Sequence, residues 1–185
     1  MTDESDVTDG SEASDAPGIR VATAADLDAI VEVHRAAFGR DAEGLLVRRL
    51  VEAGRGTVSL VAVDSDDTVL GHVLFSPVTV EEGDDGKSLC LAPVAVHPDV
   101  QRQGIGHALI EEGIGACFVN DARAVFVLGS PAYYTQFGFG KASAHGLRDA
   151  SESGNAFQVM PLTIEGLAGY KGCVSYAPEF ALGDL

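Results

Sequence analysis

The chain has 185 residues, near the usual size of one domain, and 46% of them are hydrophobic, enough to bury a substantial core. Its formal net charge is −16, from 28 acidic against 12 basic residues. That field repels nucleic-acid phosphate and anionic lipid, so neither nucleic acid nor membrane is an expected partner.

No run of roughly eighteen or more apolar residues occurs. Asp3, Glu4, Asp6 and Asp9 stand where a signal peptide needs basic residues and an apolar stretch, so a cytoplasmic protein is expected. Lysine is scarce beside arginine, and the carboxylate excess falls in apparent loops and tails. This suits a halophilic protein kept hydrated in high salt better than an ordinary acidic cytosolic one. Cys90, Cys117 and Cys173 are odd in number and widely spaced, which indicates neither a disulfide framework nor a zinc site.

Residues 1–18 contain almost no large apolar side chain and no basic one, a composition that cannot offset the entropy of ordering, so an acidic disordered tail is expected before one domain over 19–185. A short strand at Ile19 to Ala22 leads to Thr23 and Asp26, spaced as a capping box ahead of the stripe Leu27, Ile30, Val31, His34, Phe38. That helix ends near Gly39. A second runs from Asp41 to Ala53, and the β-branched runs Val58 to Val63 and Val69 to Val80, joined by an Asx turn at Asp64 to Asp67, predict an antiparallel hairpin.

Ser88 to Val96 reads as a mostly buried strand interrupted by Pro93, which removes one ladder hydrogen bond and predicts a bulge or a splaying of neighbours. The expected gap is wide enough in principle to admit a ligand. Gly104 to Val119 is helical, Ala124 to Leu128 an apolar strand, Pro131 to Gln136 a short helix, and strands follow near Ala156 to Leu162 and Gly172 to Tyr176. The expected fold is an α/β layer architecture with a mixed, mostly antiparallel sheet of about six to seven strands and helices on both faces.

Between the buried strand and the long helix lies Pro98-Asp99-Val100-Gln101-Arg102-Gln103-Gly104-Ile105-Gly106-His107. A helix start leaves N–H groups without intrahelical partners and carries a partial positive charge, so this loop is suited to a pyrophosphate. Gly104 and Gly106 remove side chains that would hold phosphate oxygens away, and Arg102 adds positive charge. The same glycines also fit a tight turn with close helix packing, and spacing alone leaves both readings open. A dinucleotide fingerprint is disfavoured because Leu109 occupies the third glycine position, and no P-loop sequence is present.

The run Leu91 to Leu109, LAPVAVHPDVQRQGIGHAL, resembles the acetyl-CoA motif of the GNAT superfamily of N-acetyltransferases, with Gln101, Gly104 and Gly106 in its core positions. Val127 to Gly140, VLGSPAYYTQFGFG, is similar to the later segment of that superfamily in which a tyrosine precedes Gly-Phe, here Tyr134. With GHVLFSPV at Gly71 to Val78 and a closing GCVSYAPEF, the chain looks most like the "predicted N-acetyltransferase" subgroup of bacteria and archaea.

This resemblance implies a GNAT-like acyl-CoA N-acyltransferase fold and acetyl transfer from acetyl-CoA to an unidentified small-molecule or peptide amine, by a monomer or homodimer. Gln101, Arg102, Gln103, Gly104, Ile105, Gly106 and His107 would supply the pyrophosphate cradle. The main chain of Val94, Ala95 and Val96 would pair with the pantetheine arm. Tyr134 would act as general acid toward a thiolate whose conjugate acid has a pKa of about 8.5. Without the motif, Tyr134 reads as a packing tyrosine beside Tyr133, Phe137 and Phe139.

Leu89 to Val96 offers no carboxylate, a departure from members with a glutamate there. Glu43, His72 and Ser76 remain as acceptor-side candidates by position. His34 lies on an apolar helical face and reads as packed, and His97 as solvent-facing. No histidine pair has metal-ligand spacing, so no metal is expected. The missing base also leaves room for a non-catalytic acyl-CoA-binding sensor.

Overall fold

The computed structural model describes residues 17–182. The expected tail therefore lies outside the described residues up to position 16. Gly18, assigned to the tail by composition, instead opens the first strand, β1 (Gly18–Val21), opposite Val63.

A single 3-10 turn at Ala24–Asp26 precedes α1 (Leu27–Phe38). The Asp26 carboxylate accepts from Thr23 N at 2.7 Å and is gripped by two nitrogens of Arg20, so the expected Thr23 to Asp26 spacing does fix the helix entry. Gly39, at φ 69°, closes α1 by returning its N–H to the Arg35 carbonyl. Helix α2 (Ala42–Glu52) follows at once.

β2 (Val58–Val63) and β3 (Val69–Glu82) form the hairpin. Asp64 Oδ1 accepts from the amides of Asp66 and Thr68 at 2.9 and 2.8 Å, which is the Asx turn read from the aspartate cluster. β4 (Ser88–Val96) pairs antiparallel with β3. α3 (Ile105–Val119) then crosses to β5 (Ala124–Leu128), parallel to β4. α4 (Pro131–Tyr134) runs into a 3-10 turn at Thr135–Phe137.

The strands β6 (Gly140–Lys141), β7 (Leu147–Asp149), β8 (Phe157–Pro161) and β9 (Lys171–Tyr176) complete the sheet. The hydrogen-bonded order is β1-β2-β3-β4-β5-β8-β6, with β9 joining the far part of β3 and β7 joining β9. Among the described residues the sheet thus has nine strands where about six to seven were expected. β6 and β7 are the additions, too short for a period-two pattern to show in their residues. Pairing is parallel only at β4–β5 and β7–β9, so the sheet is mixed and mostly antiparallel.

Strand alternation divides the core. Val58, Leu60, Val73, Phe75, Leu89 and Leu91 face α3 through Ile105, Leu109 and Ile110. Val61, Val63 and Leu74 face α1 and α2 through Ile30, Val33, Leu46, Val47 and Leu50. A third cluster, with Phe126, Phe157, Val159 and Val174, fills the C-terminal half. Cys90 and Cys117 are buried, Cys173 is half-buried, and none is paired.

Pro93 has the effect expected of it. Val73 pairs with Val94 but Phe75 pairs with Leu91, so β4 carries one additional residue around Ala92 and Pro93. The bulge reverses the facing of the strand. Cys90 belongs to the C-terminal cluster, whereas Val94 and Val96 pack on the α3 side and Ala95 on the α1–α2 side. Beside it, β4 and β5 pair only from Ser88 to Cys90, and the two strands part from Leu91 onward.

Candidate active site

The parting strands open into a cavity of about 540 Å³ lined by Val94, Ala95 and Val96 of β4, by Gln101, Arg102, Gly104, Gly106 and His107, and by Tyr133 and Gln136 of the α4 region. Two stretches of the chain meet there, the end of β4 with the loop that leads straight into α3, and the segment that follows β5, the strand parallel to β4.

The loop is shaped by local chemistry. Arg102 and Gly104 both adopt positive φ, 63° and 87°, which swings the chain sharply into α3. The first intrahelical bond runs from Ala108 N–H to the Gly104 carbonyl at 3.0 Å, leaving the amides of Ile105, Gly106 and His107 ahead of the ladder. Gln101 contributes its side chain as well as its backbone: Nε2 donates to the Val96 carbonyl at 2.9 Å and ties the loop to the end of β4.

Charge at the rim favours an anion. Arg20, Arg35, Arg40, Arg48, Arg55, Arg123 and Arg148 each pair with a carboxylate. Arg102 has no ion-pair partner among the described residues, so its guanidinium faces the cavity uncompensated in a chain of net charge −16. The His107 ring lies 4.7 Å from that of Phe137 and within 3.3 Å of Glu111.

Two residues of the expected cradle point elsewhere. Ile105 is buried in the core, so only its backbone can serve the cavity, and Gln103 borders a smaller hollow on the β1 side with Ile19 and Ala62. Sequence reading missed Tyr133 and Gln136 as lining residues. The signal was there for Tyr133: neighbours on a helix point about 100° apart, so the two adjacent tyrosines cannot share one environment.

Tyr134 is the inner member of that pair, 9% exposed, and its ring packs edge-on to Tyr133 and Phe139 at 5.1 and 5.8 Å. Gly129 makes the space, since a Cβ there would collide with the Tyr134 ring. Burial, with Tyr133 as a lesser cause, pushes the Tyr134 phenol up to about 12, so it stays protonated through the neutral range. Its hydroxyl makes no hydrogen bond to another described residue.

The acceptor-side candidates do not line the cavity. Glu43, on the first turn of α2, is buried and ion-paired with Arg40. Ser76 is fully buried with Oγ 3.3 Å from Cys90 Sγ. His72 is fully buried and bonded to His34, which is packed as expected, and His97, read as solvent-facing, is half-buried. Among the described residues no group of three or more His, Cys, Asp or Glu side chains is arranged to hold a metal ion. No helix there is long and apolar enough to cross a membrane.

The free amides, the unpaired arginine and the side-chain-free Gly106 fit a pyrophosphate-bearing thioester, and comparison with known proteins agrees. A model of the acetyltransferase (GNAT) domain matches residues 18–142. The uncharacterized N-acetyltransferase YhbS of Escherichia coli is 40% identical over 165 residues, covering 88% of this chain and 97% of YhbS. A crystal structure of YhbS in complex with CoA superposes with a TM-score of 0.87 at 37% identity, covering 92% of this chain and 94% of that one. A GNAT family acetyltransferase from Brucella melitensis in complex with acetyl-CoA gives 0.74 at 32% identity, covering 90% and 99%. The expected mixed-sheet fold, the parted strands and these matches agree, and the chain belongs to the GNAT family of N-acetyltransferases.

Proposed function

We propose that this chain holds acetyl-CoA in the cavity between β4 and β5 and passes its acetyl group to an amine of a small molecule or peptide. The observation that carries this is the conjunction of parted strands with the unpaired amides of Ile105, Gly106 and His107 at the mouth of α3. The bound thioester supplies an activated acetyl carbon. The chain's own residues do the rest. Main-chain groups of Val94 to Val96 present an extended edge to the pantetheine arm, and the α3 amides and Arg102 take the diphosphate. Tyr134 is not a lining residue, and its role as proton donor to the departing sulfur rests on its place directly behind Tyr133 and on a phenol kept neutral by burial.

Glu43 and Ser76 stay on the acceptor side by position only. The carboxylate excess supports a protein adapted to high salt.

The test is thiol release from acetyl-CoA over a panel of polyamines, amino acids and peptides, together with calorimetry of CoA binding to Gly106→Leu. A Cβ at Gly106 meets only Val96 Cγ2, at 3.4 Å, and the Tyr133 hydroxyl, at 3.8 Å, so the fold tolerates it while the longer side chain enters the cavity. CoA affinity is expected to fall roughly a hundredfold, about 2.8 kcal/mol, at unchanged melting temperature. Undiminished affinity in folded Gly106→Leu would overturn the reading.

A further inference from the structure

A second hollow, of about 250 Å³, lies between β1, the start of α1 and the end of α2, and shares no lining residue with the cofactor cavity. Its walls are mainly apolar, with Leu27, Ile30 and Val51, and its principal side-chain hydroxyl besides Thr23 is Ser59 of β2. The Thr23 hydroxyl is committed to Asp26 at 2.8 Å, whereas Ser59 Oγ lies 3.0 Å from His72 Nε2. His72 Nδ1 lies in turn 2.9 Å from His34 Nε2, and both imidazoles are fully buried. Serine, base and a third group behind the base thus form a continuous chain that ends in an open hollow.

We propose that Ser59 is a reactive nucleophile at a second site, with His72 as its general base and His34 as the positioning residue, able to take a short acyl group from an activated ester. Both His72 nitrogens are engaged. With Ser59 O–H directed at Nε2, Nδ1–H donates to His34 Nε2, and the remaining proton of His34 sits on its unpartnered Nδ1. Burial foremost, with His34 nearby, keeps His72 unprotonated, the form a base needs. The charged group acting on it in the opposite sense is the Asp26 carboxylate, itself held by Arg20.

In the step, the Ser59 oxygen bonds to the ester carbonyl carbon and its proton passes to His72 Nε2. The carbon–oxygen bond to the leaving alcohol breaks, and that oxygen takes the proton from His72. Water then attacks the acyl-serine, His72 relays its proton back to Ser59 Oγ, and a carboxylic acid leaves. The hollow is below the usual range of drug-sized pockets, roughly 300–1,000 Å³, so the acyl group is short. The third member is a neutral imidazole, which holds the tautomer but lacks the negative charge with which the carboxylate of a Ser-His-Asp triad stabilises the imidazolium, so turnover is slow. Acylation with slow release, rather than rapid hydrolysis, is the expected behaviour.

The experiment treats the whole chain with p-nitrophenyl acetate, follows nitrophenol release and maps the acetylated peptide by mass spectrometry. One acetyl group on Ser59, formed at least about tenfold faster than any labelling of Ser59→Ala, and unaffected by saturating CoA, is the expected result. Labelling elsewhere, none at Ser59, or abolition by CoA would overturn it. The mapping on the unaltered chain stands whether or not Ser59→Ala folds. His34→Leu removes the acceptor of His72 Nδ1–H, so acylation of Ser59 should slow at least about tenfold with its pH midpoint moved downward, His34→Gln should restore much of the rate, and an unchanged rate and midpoint in His34→Leu remove His34 from the site. Failure here leaves acetyl transfer at the other cavity untouched, since the two hollows share no lining residue.

Discussion

The side-chain amide of Gln101 donates to the main-chain oxygen of Val96 at 2.9 Å, joining the strand that would face the pantetheine to the loop that would face the diphosphate. The two halves of the cavity are therefore held at a fixed separation by one hydrogen bond, and the loop's two positive-φ residues, Arg102 and Gly104, follow directly after it.

Gln101→Ala should lose that clasp and little else, because the residue is exposed. A hydrogen bond of this kind contributes about 0.5–1.5 kcal/mol net to the fold, so the melting temperature should fall by about 1–6 °C and CoA affinity by up to roughly tenfold. Isothermal calorimetry checks the affinity and a melting scan the loss of stability.

Tyr134→Phe keeps the ring that packs on Phe139 and Gly129 and removes only the hydroxyl. Turnover in the thiol-release assay should drop by roughly a hundred- to ten-thousandfold at near-constant acetyl-CoA affinity. Because the phenol is pushed up to about 12, no alkaline fall in activity from Tyr134 is expected below about pH 11. Equal turnover of the variant would remove Tyr134 from the chemistry.

The buried histidines set an acid limit on stability. Burial lowers His34 to about 4 and holds His72 well below its ordinary value, whereas in the unfolded chain both titrate near about 6.5. The unfolded state thus binds more protons, so their contribution to stability is complete above about pH 6.5 and is lost as pH falls from there toward about 4. Carboxylates such as Asp26 and Asp85, held low by Arg20 and by Tyr170 with Arg123, lose theirs only at lower pH. Melting scans should show a decline of roughly 10 °C between about pH 7 and pH 5, shallower in His34→Gln.

Two glycines of α3 make a matched test of packing. Removing a helical glycine gains about 1 kcal/mol in propensity, and at exposed Gly115, where nothing lies within 4 Å of an added Cβ, Gly115→Ala should raise the melting temperature by about 2–4 °C. At Gly113 the same methyl overlaps the ring of Phe75, which is fully buried between helix and sheet. Overpacking of about 1–3 kcal/mol outweighs the gain, and Gly113→Ala should melt lower.

Elements with a repeating pattern were legible in the residues alone. The stripes of α1 and α3, the β-branched runs of β2 and β3 and the Asp64 turn each follow from a period or a side chain acting within four residues. The bulge at Pro93 follows from a missing N–H, and Gln101 to His107 was readable as an anion cradle for the same local reason. β6 and β7 were not, being shorter than any period. The Glu43 to Arg40 pair, three residues apart on the chain, was within reach of such reading, and Ser76 against Cys90 was not.

The sequence by itself determined the helices, the hairpin, the break in β4 and the loop chemistry, because each depends on neighbours a few bonds away. The tertiary structure alone decided that Tyr133 rather than Tyr134 lines the cavity, that the Gln101 side chain clasps Val96, and that His34 meets His72 across 38 residues. Those contacts depend on where β4, α1 and α4 come to rest against one another, a matter of close packing that no local pattern encodes.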